Sequence, residues 1–378
     1  MIYDCIVIGF GGVGSAAMRE AAKNGWSVLG IDRFGPAHDR GSSHGQTRII
    51  RRAYFEHPSY VPLANRAFEM WDELNKRHRT SMEIKELITR SGLLQIGKPD
   101  SEVIQGVRQS ADQHSLTVEQ FTSKEIQRRL PILKVPHDQV GLFEPDAAFL
   151  RVEMCVTAMI NQAVIHGAQI MSNTVVQGWS VSGDGICNVS TDNGNFQSRH
   201  LIIAAGAWNS ELLPDLGLQV VQKQQHWFQL DRVDHKVENK FPGFLVERDN
   251  GDCFYGLPEI NYLGLKVCEH SGGKPISGPQ ELDGGLNQSA LQRTEEFMQE
   301  YLQHGRRRLV HHSNCMYTMS PDGHFFVDNY PGYSNVVFAA GLSGHGFKFT
   351  PVLGKHLVSL LRGQCEPEFE FLKVAGRL

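Results

Sequence analysis

The pattern of apolar and polar positions in residues 2–31 predicts a strand, a turn, a helix and a second strand. Residues 2–8 form a run of apolar and β-branched side chains, which is typical of a strand buried on both faces of a parallel sheet. Residues 9–14 are rich in glycine and break the run, residues 15–24 have a helical pattern, and residues 26–31 are again apolar. This order predicts a βαβ unit at the start of the chain.

Two later segments have the same character. Residues 201–205 form a short apolar strand that ends at Gly206, and residues 336–340 form another that ends at Gly341. The second strand is followed by a glycine-rich turn and by a helical pattern over residues 350–361. We therefore expect these distant segments to belong to the same domain as the first βαβ unit.

The segments between them have a different texture. Residues 254–257 and 263–267 alternate as strands do, and residues 291–302 have a helical pattern. Residues 272–289 are rich in glycine, proline and serine, which predicts a long surface loop. These segments indicate a second domain with short strands.

The fold class that follows is α/β: a Rossmann-like dinucleotide-binding domain interleaved with a mostly antiparallel substrate-binding domain. The first domain is expected over residues 1–84, 146–217 and 316–378, and the second over residues 85–145 and 218–315. A chain of 378 residues with 41% hydrophobic content has room for two domains with sizeable cores.

Charge and composition exclude several classes of partner and site. The net charge of −4 gives no electrostatic reason to bind nucleic acid or an anionic membrane. No apolar stretch approaches the ~20 residues that a membrane span requires. The seven cysteines are scattered, odd in number and form no C-x-x-C pair, which argues against a disulfide framework or a zinc site and indicates a reducing compartment. No metal site is therefore expected.

We accordingly expect a cytoplasmic protein. The last three residues, 376–378, loosely resemble a peroxisomal targeting tail, so the peroxisome is the alternative. Glycine in the first position of that tail favours an ordinary solvated end.

The first chemical motif is G-x-G-x-x-G, formed by Gly9, Gly11 and Gly14, with Asp32 at the end of the second strand. The glycines allow a tight turn in which backbone N–H groups at a helix N-terminus approach a pyrophosphate. Asp32 would accept hydrogen bonds from ribose hydroxyls, which argues against NADP. The motif predicts dinucleotide binding but does not separate FAD from NAD.

The second motif is the run of residues 41–51, which follows the second strand and would lie near the phosphates. It ends with Arg48 and Arg51, two fixed cations separated by an apolar pair. Each guanidinium can bind a carboxylate through two parallel hydrogen bonds, although a surface basic patch is the alternative.

Two further motifs occur late in the chain. Cys315 begins the string C-M-Y-T, and residues 341–348 form G-L-S-G-H-G-F-K between a strand and a helix. Glycines in the second string would let backbone amides and a helix N-terminus face an anionic ligand.

Together these motifs resemble the monomeric sarcosine oxidase and N-methyltryptophan oxidase family of flavoproteins, which also includes the peroxisomal sarcosine or pipecolate oxidases. The strings S-H-G-x-[ST]-R-x-I-R, C-x-Y-T and G-x-S-G-H-G-F-K occur in order. The likeness runs through most of the chain, including residues 60–63, 205–209 and 241–244.

The resemblance implies that the dinucleotide is FAD, attached by a thioether from Cys315 to the 8α-methyl group of the flavin. Taken alone, Cys315 would more often be an inert buried thiol. The cofactor-binding positions that the resemblance implies are Cys315, Gly9, Gly11, Gly14, Asp32, Arg33, Ser42, Ser43, Thr47, Val175, Gly344 and Gly346.

The resemblance also implies a substrate site. Arg51 and Lys348 match a pair that binds the substrate carboxylate, and Lys266 matches a lysine that activates oxygen, where a cation stabilises developing superoxide. Leu245 stands where sarcosine oxidases carry methionine above the substrate, so substrate size is open among sarcosine, bulkier N-methyl amino acids and cyclic imino acids such as pipecolate. The other implied catalytic positions are His270, Tyr255, Tyr317, Arg48 and His44.

The implied reaction is oxidation of the C–N bond of a secondary amino acid to an imine, with reduction of O₂ to H₂O₂, by a monomeric enzyme whose partners are its substrate and oxygen. Three alternatives remain. An NAD-dependent dehydrogenase would share only the first motif. A flavin dehydrogenase that reduces a protein acceptor would not use Lys266, and a non-catalytic FAD-binding subunit would not use Arg51 and Lys348.

Overall fold

The computed structural model describes residues 1–81, 86–303 and 305–377. The strands over these residues are β1 (Ile2–Ile8), β2 (Val28–Ile31), β3 (Thr47–Ile50), β4 (Ile88–Arg90), β5 (Leu93–Gly97), β6 (Glu119–Thr122), β7 (Val140–Glu144), β8 (Ala148–Arg151), β9 (Gln169–Met171), β10 (Val176–Val181), β11 (Cys187–Thr191), β12 (Gly194–Ile203), β13 (Gln219–Leu230), β14 (Gly243–Glu247), β15 (Cys253–Leu257), β16 (Leu265–Glu269), β17 (Lys274–Ile276), β18 (Arg307–Met319), β19 (Phe326–Asn329) and β20 (Val336–Ala340). The helices are α1 (Gly12–Lys23), α2 (Tyr60–Ser81), α3 (Glu102–His114), α4 (Ser123–Arg129), α5 (Val152–Ile165), α6 (Asn209–Leu212), α7 (Gln288–Tyr301) and α8 (Thr350–Leu361).

The first sheet is Rossmann-like. Its parallel strands stand in the order β9-β2-β1-β12-β20, and β10, β11 and β19 extend it in antiparallel pairings. Strand β1 is central and four of its seven residues are buried, as the uninterrupted apolar run predicts. Helix α1 follows β1 directly, which confirms the βαβ unit.

Helices from both ends of the chain close over this sheet. A Cβ added to Gly354 in α8 would stand 2.6 Å from the Cβ of Ala16 in α1, so the two helices touch through small residues. Ala17 and Ala21 of α1 are fully buried in the same core as Leu353 and Leu357 of α8. The last helix therefore holds the first one in place.

The second sheet is mostly antiparallel. Its strand order is β17-β13-β16-β15-β14-β5-β7-β6, with β18 paired along β13, and the pairing of β14 with β5 is parallel. Its apolar face is covered by α7, where Phe254 and Phe297 stack with ring centroids 4.5 Å apart. The two predicted architectural parts, one Rossmann-like and one mostly antiparallel, are thus confirmed. A third sheet of β3, β8 and β4 lies in the same chain.

The opposite face of the second sheet carries a row of side chains in register. Paired residues point to the same face of a sheet, as do residues two positions apart in one strand. The row Leu245, Tyr255, Cys268, Gln225 and Ser313 crosses five neighbouring strands. Next to it on the same face lie Lys266, Lys223, Cys315 and Tyr317.

Several predicted elements differ in extent from the structure. Strand β12 begins at Gly194 rather than at residue 201, because its first half pairs with β11. The predicted loop over residues 272–289 contains strand β17, which pairs with β13. The predicted domain boundaries stay a prediction; strand β18 runs without interruption through the one expected between residues 315 and 316. Residues 82–84 and Leu378, which fall in predicted segments, lie outside the described residues. Among the described helices, none is long and apolar enough to cross a membrane.

Candidate active site

The glycine turn between β1 and α1 admits no larger residue at two of its positions. Gly9 has a φ of +82°, and an added Cβ would stand 2.7 Å from the carbonyl oxygen of Ala204. A Cβ on Gly14 would overlap the carbonyl oxygen of Gly9. Gly11 is the N-cap of α1, whose first turn has no acidic residue, and the N–H of Gly12 donates to Ser43 Oγ at 3.2 Å. The positive end of α1 is therefore available to an anion.

Asp32 lies directly after β2 and is 8% exposed. Its Oδ2 accepts a hydrogen bond from the N–H of Phe10 and its Oδ1 accepts one from the N–H of Phe34, both at 2.9 Å. These bonds fix the carboxylate, and His38 Nε2 lies 3.5 Å from Oδ1. The guanidinium of the next residue, Arg33, lies 5.5 Å from the centroid of the Trp208 ring.

A cavity runs along this turn. Most of the predicted cofactor-binding residues line it: Gly9, Gly11, Asp32, Arg33, Ser42, Ser43, Gly344 and Gly346, together with Arg48 and Tyr317. Four predicted positions are not among the lining residues: Gly14, Thr47, Val175 and Cys315. The neighbours of Val175, Thr174 and Val176, do line the cavity, and the N–H of Val175 donates to Asp192 Oδ1 at 2.8 Å.

Three features of the cavity suit a bound dinucleotide. Its glycine turn would be filled by a Cβ, its helix N-terminus carries no competing acidic side chain, and a fixed carboxylate stands at the end of the second strand.

The separate sequence motifs meet at one wall of the cavity. Ser42 Oγ donates to the carbonyl oxygen of Met316 at 2.6 Å, and the N–H of Ser343 donates to the carbonyl oxygen of Thr318 at 2.9 Å. Gly344 has a φ of +82°, and a Cβ there would overlap the ring of Tyr317. The three strings thus interlock through backbone and small side chains.

Cys315 lies on β18 with only 2% of its surface exposed. The Nε2 amide of Gln225 donates to its sulfur at 3.3 Å, and Lys223 is its partner in the strand pairing. Thr318 and Tyr317, which follow it on the strand, line the cavity. The cysteine therefore lies beside the cavity wall, held by a side-chain amide.

Lys266 is 1% exposed, so it is a buried cation and not a solvated strand end. Its Nζ donates to the carbonyl oxygens of Gly45 and Thr47 at 2.7 and 3.1 Å, and it lies 5.0 Å from the centroid of the Trp227 ring. Burial, reinforced by the nearby charge of Arg48, lowers the pKa of Lys266 to about 7. Two of its three N–H groups are used within the protein.

His44 lies just before strand β3 and Arg48 lies in it, next to the carbonyls of Gly45 and Thr47 that hold Lys266. The Nε2 of His44 bonds to the carbonyl oxygen of Gly41 at 3.0 Å, and burial with the charge of Arg48 lowers the pKa of His44 to about 4. Arg48 donates to the carbonyl oxygens of Thr47 and Ser42 at 2.9 and 3.0 Å. The histidine is therefore neutral and the arginine is the fixed charge.

Arg51 and Lys348 come together at one buried tyrosine. The guanidinium carbon of Arg51 lies 4.4 Å from the centroid of the Tyr54 ring, and Lys348 Nζ lies 5.1 Å from the same centroid. Arg51 is 3% exposed and Lys348 is 5% exposed. Two cations from distant parts of the chain therefore lie against one tyrosine ring.

The Nη donors of Arg51 are all engaged. Nη1 donates to Gln95 Oε1 and to the carbonyl oxygen of Ala53, both at 3.1 Å, and Nη2 donates to the two carboxylate oxygens of Glu56 at 2.7 and 2.6 Å. Burial alone would raise the pKa of Glu56, but the charges led by Arg51 and including Lys348 lower it to about 2. Glu56 is therefore an ionised carboxylate held by the arginine.

Lys348 is engaged in a different way. Its Nζ donates to Tyr54 Oη at 3.1 Å and to the carbonyl oxygen of His345 at 2.8 Å. The backbone carbonyl oxygen of Lys348 accepts a hydrogen bond from Trp71 Nε1 at 2.8 Å. Burial and the charge of Arg51 lower the pKa of Lys348 to about 7, against the opposing effect of Glu56.

The remaining predicted residues, His270, Tyr317, Tyr255 and Leu245, contact or neighbour one another at the second sheet. His270 Nδ1 lies 3.2 Å from Tyr317 Oη, and the rings of His270 and Tyr255 meet edge-on with centroids 6.5 Å apart. Burial lowers the pKa of His270 to about 4, so this histidine is neutral as well. Leu245 is the strand partner of Tyr255 and packs in the same apolar cluster, together with Ile260.

Sequence reasoning missed several residues of this site. Glu56 and Tyr54 lie just after the second motif, and no local pattern marks their partners. Lys223 is 4% exposed and donates to the carbonyl oxygens of His270, Ser271 and Gly272. The run Q-K-Q-Q-H over residues 222–226 was a signal for it, because five polar residues in a buried strand require internal partners.

The sequence is similar to known FAD-dependent oxidoreductases. A family model described as FAD dependent oxidoreductase matches residues 4–360. The chain is 37% identical over 380 residues to monomeric sarcosine oxidase of Bacillus sp. (strain B-0618), which covers 98% of this chain and 95% of that protein. It is 39% identical over 356 residues to N-methyl-L-tryptophan oxidase of Escherichia coli (strain K12), which covers 94% of each.

Solved structures with the same fold are more distant in sequence. The open form of NikD, described as an unusual amino acid oxidase essential for nikkomycin biosynthesis, superimposes with a TM-score of 0.85 at 22% identity, covering 98% of this chain and 97% of that one. Glycine oxidase from Bacillus cereus ATCC 14579 superimposes with a TM-score of 0.81 at 17% identity, covering 100% and 99%. These likenesses establish the fold.

Proposed function

Because the chain belongs to the FAD-dependent oxidoreductases, in the family of monomeric sarcosine oxidase and N-methyl-L-tryptophan oxidase, we propose that it is a flavin-dependent oxidase of secondary amino acids. One observation carries the proposal beyond the family. Arg51 and Lys348 are buried on one tyrosine ring, which is an arrangement that suits the carboxylate of an amino acid.

The chain's own residues would hold the cofactor in a defined place. The turn of Gly9 and Gly14 would bind the pyrophosphate at the N-terminus of α1, and Asp32 would accept hydrogen bonds from the ribose. Cys315 would carry the flavin through a thioether, with Gln225 donating to its sulfur. When bound, FAD would supply the redox chemistry, taking two electrons from the substrate and passing them to O₂.

The substrate would be oriented by charge. Arg51 and the free N–H of Lys348 would bind the carboxylate, which fixes the adjacent C–H bond and reduces the entropic cost of reaction. A site with several buried cations also disfavours a protonated amine, so the substrate would react with its nitrogen lone pair free. Two hydrogens leave the C–N unit, the imine is hydrolysed by water off the enzyme, and O₂ takes both electrons and two protons to give H₂O₂.

Lys266 would serve the oxygen half of the reaction. Its ammonium group is fixed by two carbonyls and keeps one N–H free, in a buried setting where a cation strongly stabilises a developing anion. The neutral His270 and Tyr317, hydrogen bonded to each other, would line the substrate volume together with Tyr255 and Leu245.

We also propose that the protein works in the cytoplasm as a monomer. All seven cysteines are free, and Cys5, Cys155, Cys187, Cys268 and Cys315 are buried, as expected in a reducing compartment.

The proposal is tested by a peroxide-coupled assay of the purified holoprotein with sarcosine, N-methyltryptophan and pipecolate. We expect one H₂O₂ for each amino acid oxidised with at least one of them. Turnover with an artificial electron acceptor but not with O₂ would point to the dehydrogenase alternative. Absence of turnover with either acceptor would contradict the proposed substrate class.

A further inference from the structure

A chain of three hydrogen bonds leads away from Lys348. Lys348 Nζ lies 3.1 Å from Tyr54 Oη, and Tyr54 Oη lies 2.7 Å from His345 Nδ1. His345 Nε2 lies 3.3 Å from the carbonyl oxygen of Gly323. Tyr54 is fully buried and His345 is 8% exposed, so protein groups rather than bulk water satisfy these atoms.

The end of the chain sets the direction of every bond in it. The carbonyl oxygen of Gly323 can only accept, so Nε2 of His345 carries the ring proton. Burial lowers the pKa of His345 to about 3, so the ring is neutral and Nδ1 is a bare acceptor. The hydroxyl of Tyr54 lies 3.3 Å from the carbonyl oxygen of His345 but only 2.7 Å from the bare Nδ1, so it donates its proton to Nδ1, and its oxygen is left as an acceptor for Lys348.

This directed chain determines how Lys348 faces the substrate volume. The ammonium group has three N–H donors. One is directed to Tyr54 Oη and a second to the carbonyl oxygen of His345. A single N–H is left, and its direction is fixed by the other two.

The acceptor in this chain is itself held rigidly. The Tyr54 ring packs against Tyr60 and Phe349 with centroid distances of 4.9 and 5.4 Å, and its carbonyl oxygen accepts from Ser110 Oγ. Without the Tyr54 hydroxyl, Lys348 would lose one of its two anchors, and only the carbonyl oxygen of His345 would hold it against the attraction of the Glu56 carboxylate.

We propose that Tyr54 and His345 are positioning residues that hold Lys348 as a donor with one N–H directed to the substrate carboxylate. The inference rests on the proposed function, since it concerns the carboxylate site of that reaction. In this proposal neither residue contacts the substrate, and both act through Lys348.

The test compares Tyr54→Phe with Tyr60→Phe in the FAD-loaded protein. Tyr60 is a matched control because it is equally buried and lies in the same ring cluster, but its hydroxyl contacts His324 Nδ1 and the N–H of Phe325 and not Lys348. Affinity is measured with propionate, an unreactive carboxylate, through the change in the flavin absorption spectrum, and KM and kcat are measured with the best substrate.

We expect Tyr54→Phe to raise both the Kd for propionate and the KM by about tenfold, because a hydrogen bond to a charged group is weakened. The value of kcat should stay within about twofold of the original, and Tyr60→Phe should leave Kd and KM unchanged. A second pair of variants tests the relay: His345→Asn keeps a side-chain acceptor for the tyrosine and should stay near the parent protein. His345→Leu leaves the Tyr54 hydroxyl only the carbonyl oxygen of residue 345, 3.3 Å away, and should raise Kd to a value between those of the parent protein and Tyr54→Phe.

The outcomes separate the inference from the proposed function. Equal effects of Tyr54→Phe and Tyr60→Phe on Kd, or a loss in kcat with unchanged Kd, would overturn the positioning role. If the parent protein neither binds propionate nor oxidises any of the secondary amino acids, the proposed function fails instead. If both variants at position 54 and 345 unfold, the same comparison is made with Tyr54→Trp, which keeps a large ring and removes the hydroxyl; an unchanged Kd there would contradict the inference.

Discussion

Arg51 binds the carboxylate of Glu56 through two hydrogen bonds of 2.7 and 2.6 Å in a buried site. The same arginine is one of the two cations proposed for the substrate carboxylate. Because its Nη groups have no N–H to spare, a carboxylate that binds them has to replace one of their present partners, and Glu56 is the anionic one among these. The protein therefore holds an internal competitor for its own ligand.

Replacement of Glu56 should make this competition measurable. In Glu56→Gln the neutral amide competes less well for Arg51, so we expect the Kd for propionate to fall by about fivefold, or about 1 kcal/mol. The same change breaks a buried ion pair, so the free energy of unfolding should fall by about 3 kcal/mol. Affinity is measured by flavin absorbance and stability by urea unfolding. Weaker propionate binding in this variant would show that Glu56 helps the ligand instead.

Removal of the Lys266 charge should separate the two halves of the reaction. In Lys266→Met the cation that would stabilise reduced oxygen is absent, so we expect reoxidation by O₂ to slow about a hundredfold. Anaerobic reduction by substrate should change by less than about threefold, and each rate is measured by stopped-flow absorbance in the same variant. Equal slowing of both steps would remove the oxygen role from this lysine.

Covalent attachment should depend on one sulfur. Cys315→Ala is expected to give protein whose flavin is released into the supernatant on acid precipitation, whereas the parent protein should give a yellow pellet. Cys268→Ala is the control, since Cys268 is a buried thiol on the same face of the sheet. A colourless pellet from the parent protein would contradict covalent attachment. A colourless pellet from the Cys268 variant would contradict attachment through Cys315 alone.

Carboxylate binding should weaken in alkaline solution. Burial and Arg51 lower the pKa of Lys348 to about 7, so its third N–H is present below that pH and is lost above it. The charges that act on this group are those of Arg51, Arg48 and Glu56, while His345 and His270 are neutral above about pH 5. We therefore expect the Kd for propionate to rise about tenfold per unit once the pH is well above 7.

The matching control for this pH dependence is Lys348→Arg, whose guanidinium keeps its charge over the whole range. Its Kd should be flat between pH 6 and 9. A flat profile in the parent protein would mean that Lys348 does not lose its proton in this interval.

Much of the Rossmann-like part was predictable from the chain. The extents of β1, β20 and α8 match the predicted residues 2–8, 336–340 and 350–361, because elements buried on both faces leave uninterrupted apolar patterns. The family resemblance was carried by short glycine-containing strings whose backbone demands are local, and it is confirmed. Strand β17 was hidden in a loop-like composition because its pairing with β13 is non-local.

The candidate site was only partly predictable for a related reason. Cys315, Lys266, Arg51 and Lys348 were marked by motifs, and their roles stay predictions. The groups that hydrogen bond to Arg51 and Lys348 carry no sequence signal of their own: Glu56 binds Arg51 from five residues further along the chain, and Tyr54 contacts Lys348 across 294 residues of chain. Such pairings follow from tertiary packing, which no local pattern encodes.

The hydrogen bond between Ser42 and Met316 joins positions 274 residues apart, and helix α8 packs against α1. The walls of the cavity therefore come from both the N-terminal and the C-terminal parts of the chain. Proteins fold from the N-terminus as they leave the ribosome. The first βαβ unit therefore emerges while the opposite wall is still unsynthesised, and an early-bound cofactor would have nothing to enclose it. The cavity is therefore complete only once the C-terminal helix has been synthesised and has packed on α1, and tight cofactor binding is expected only from that stage onward.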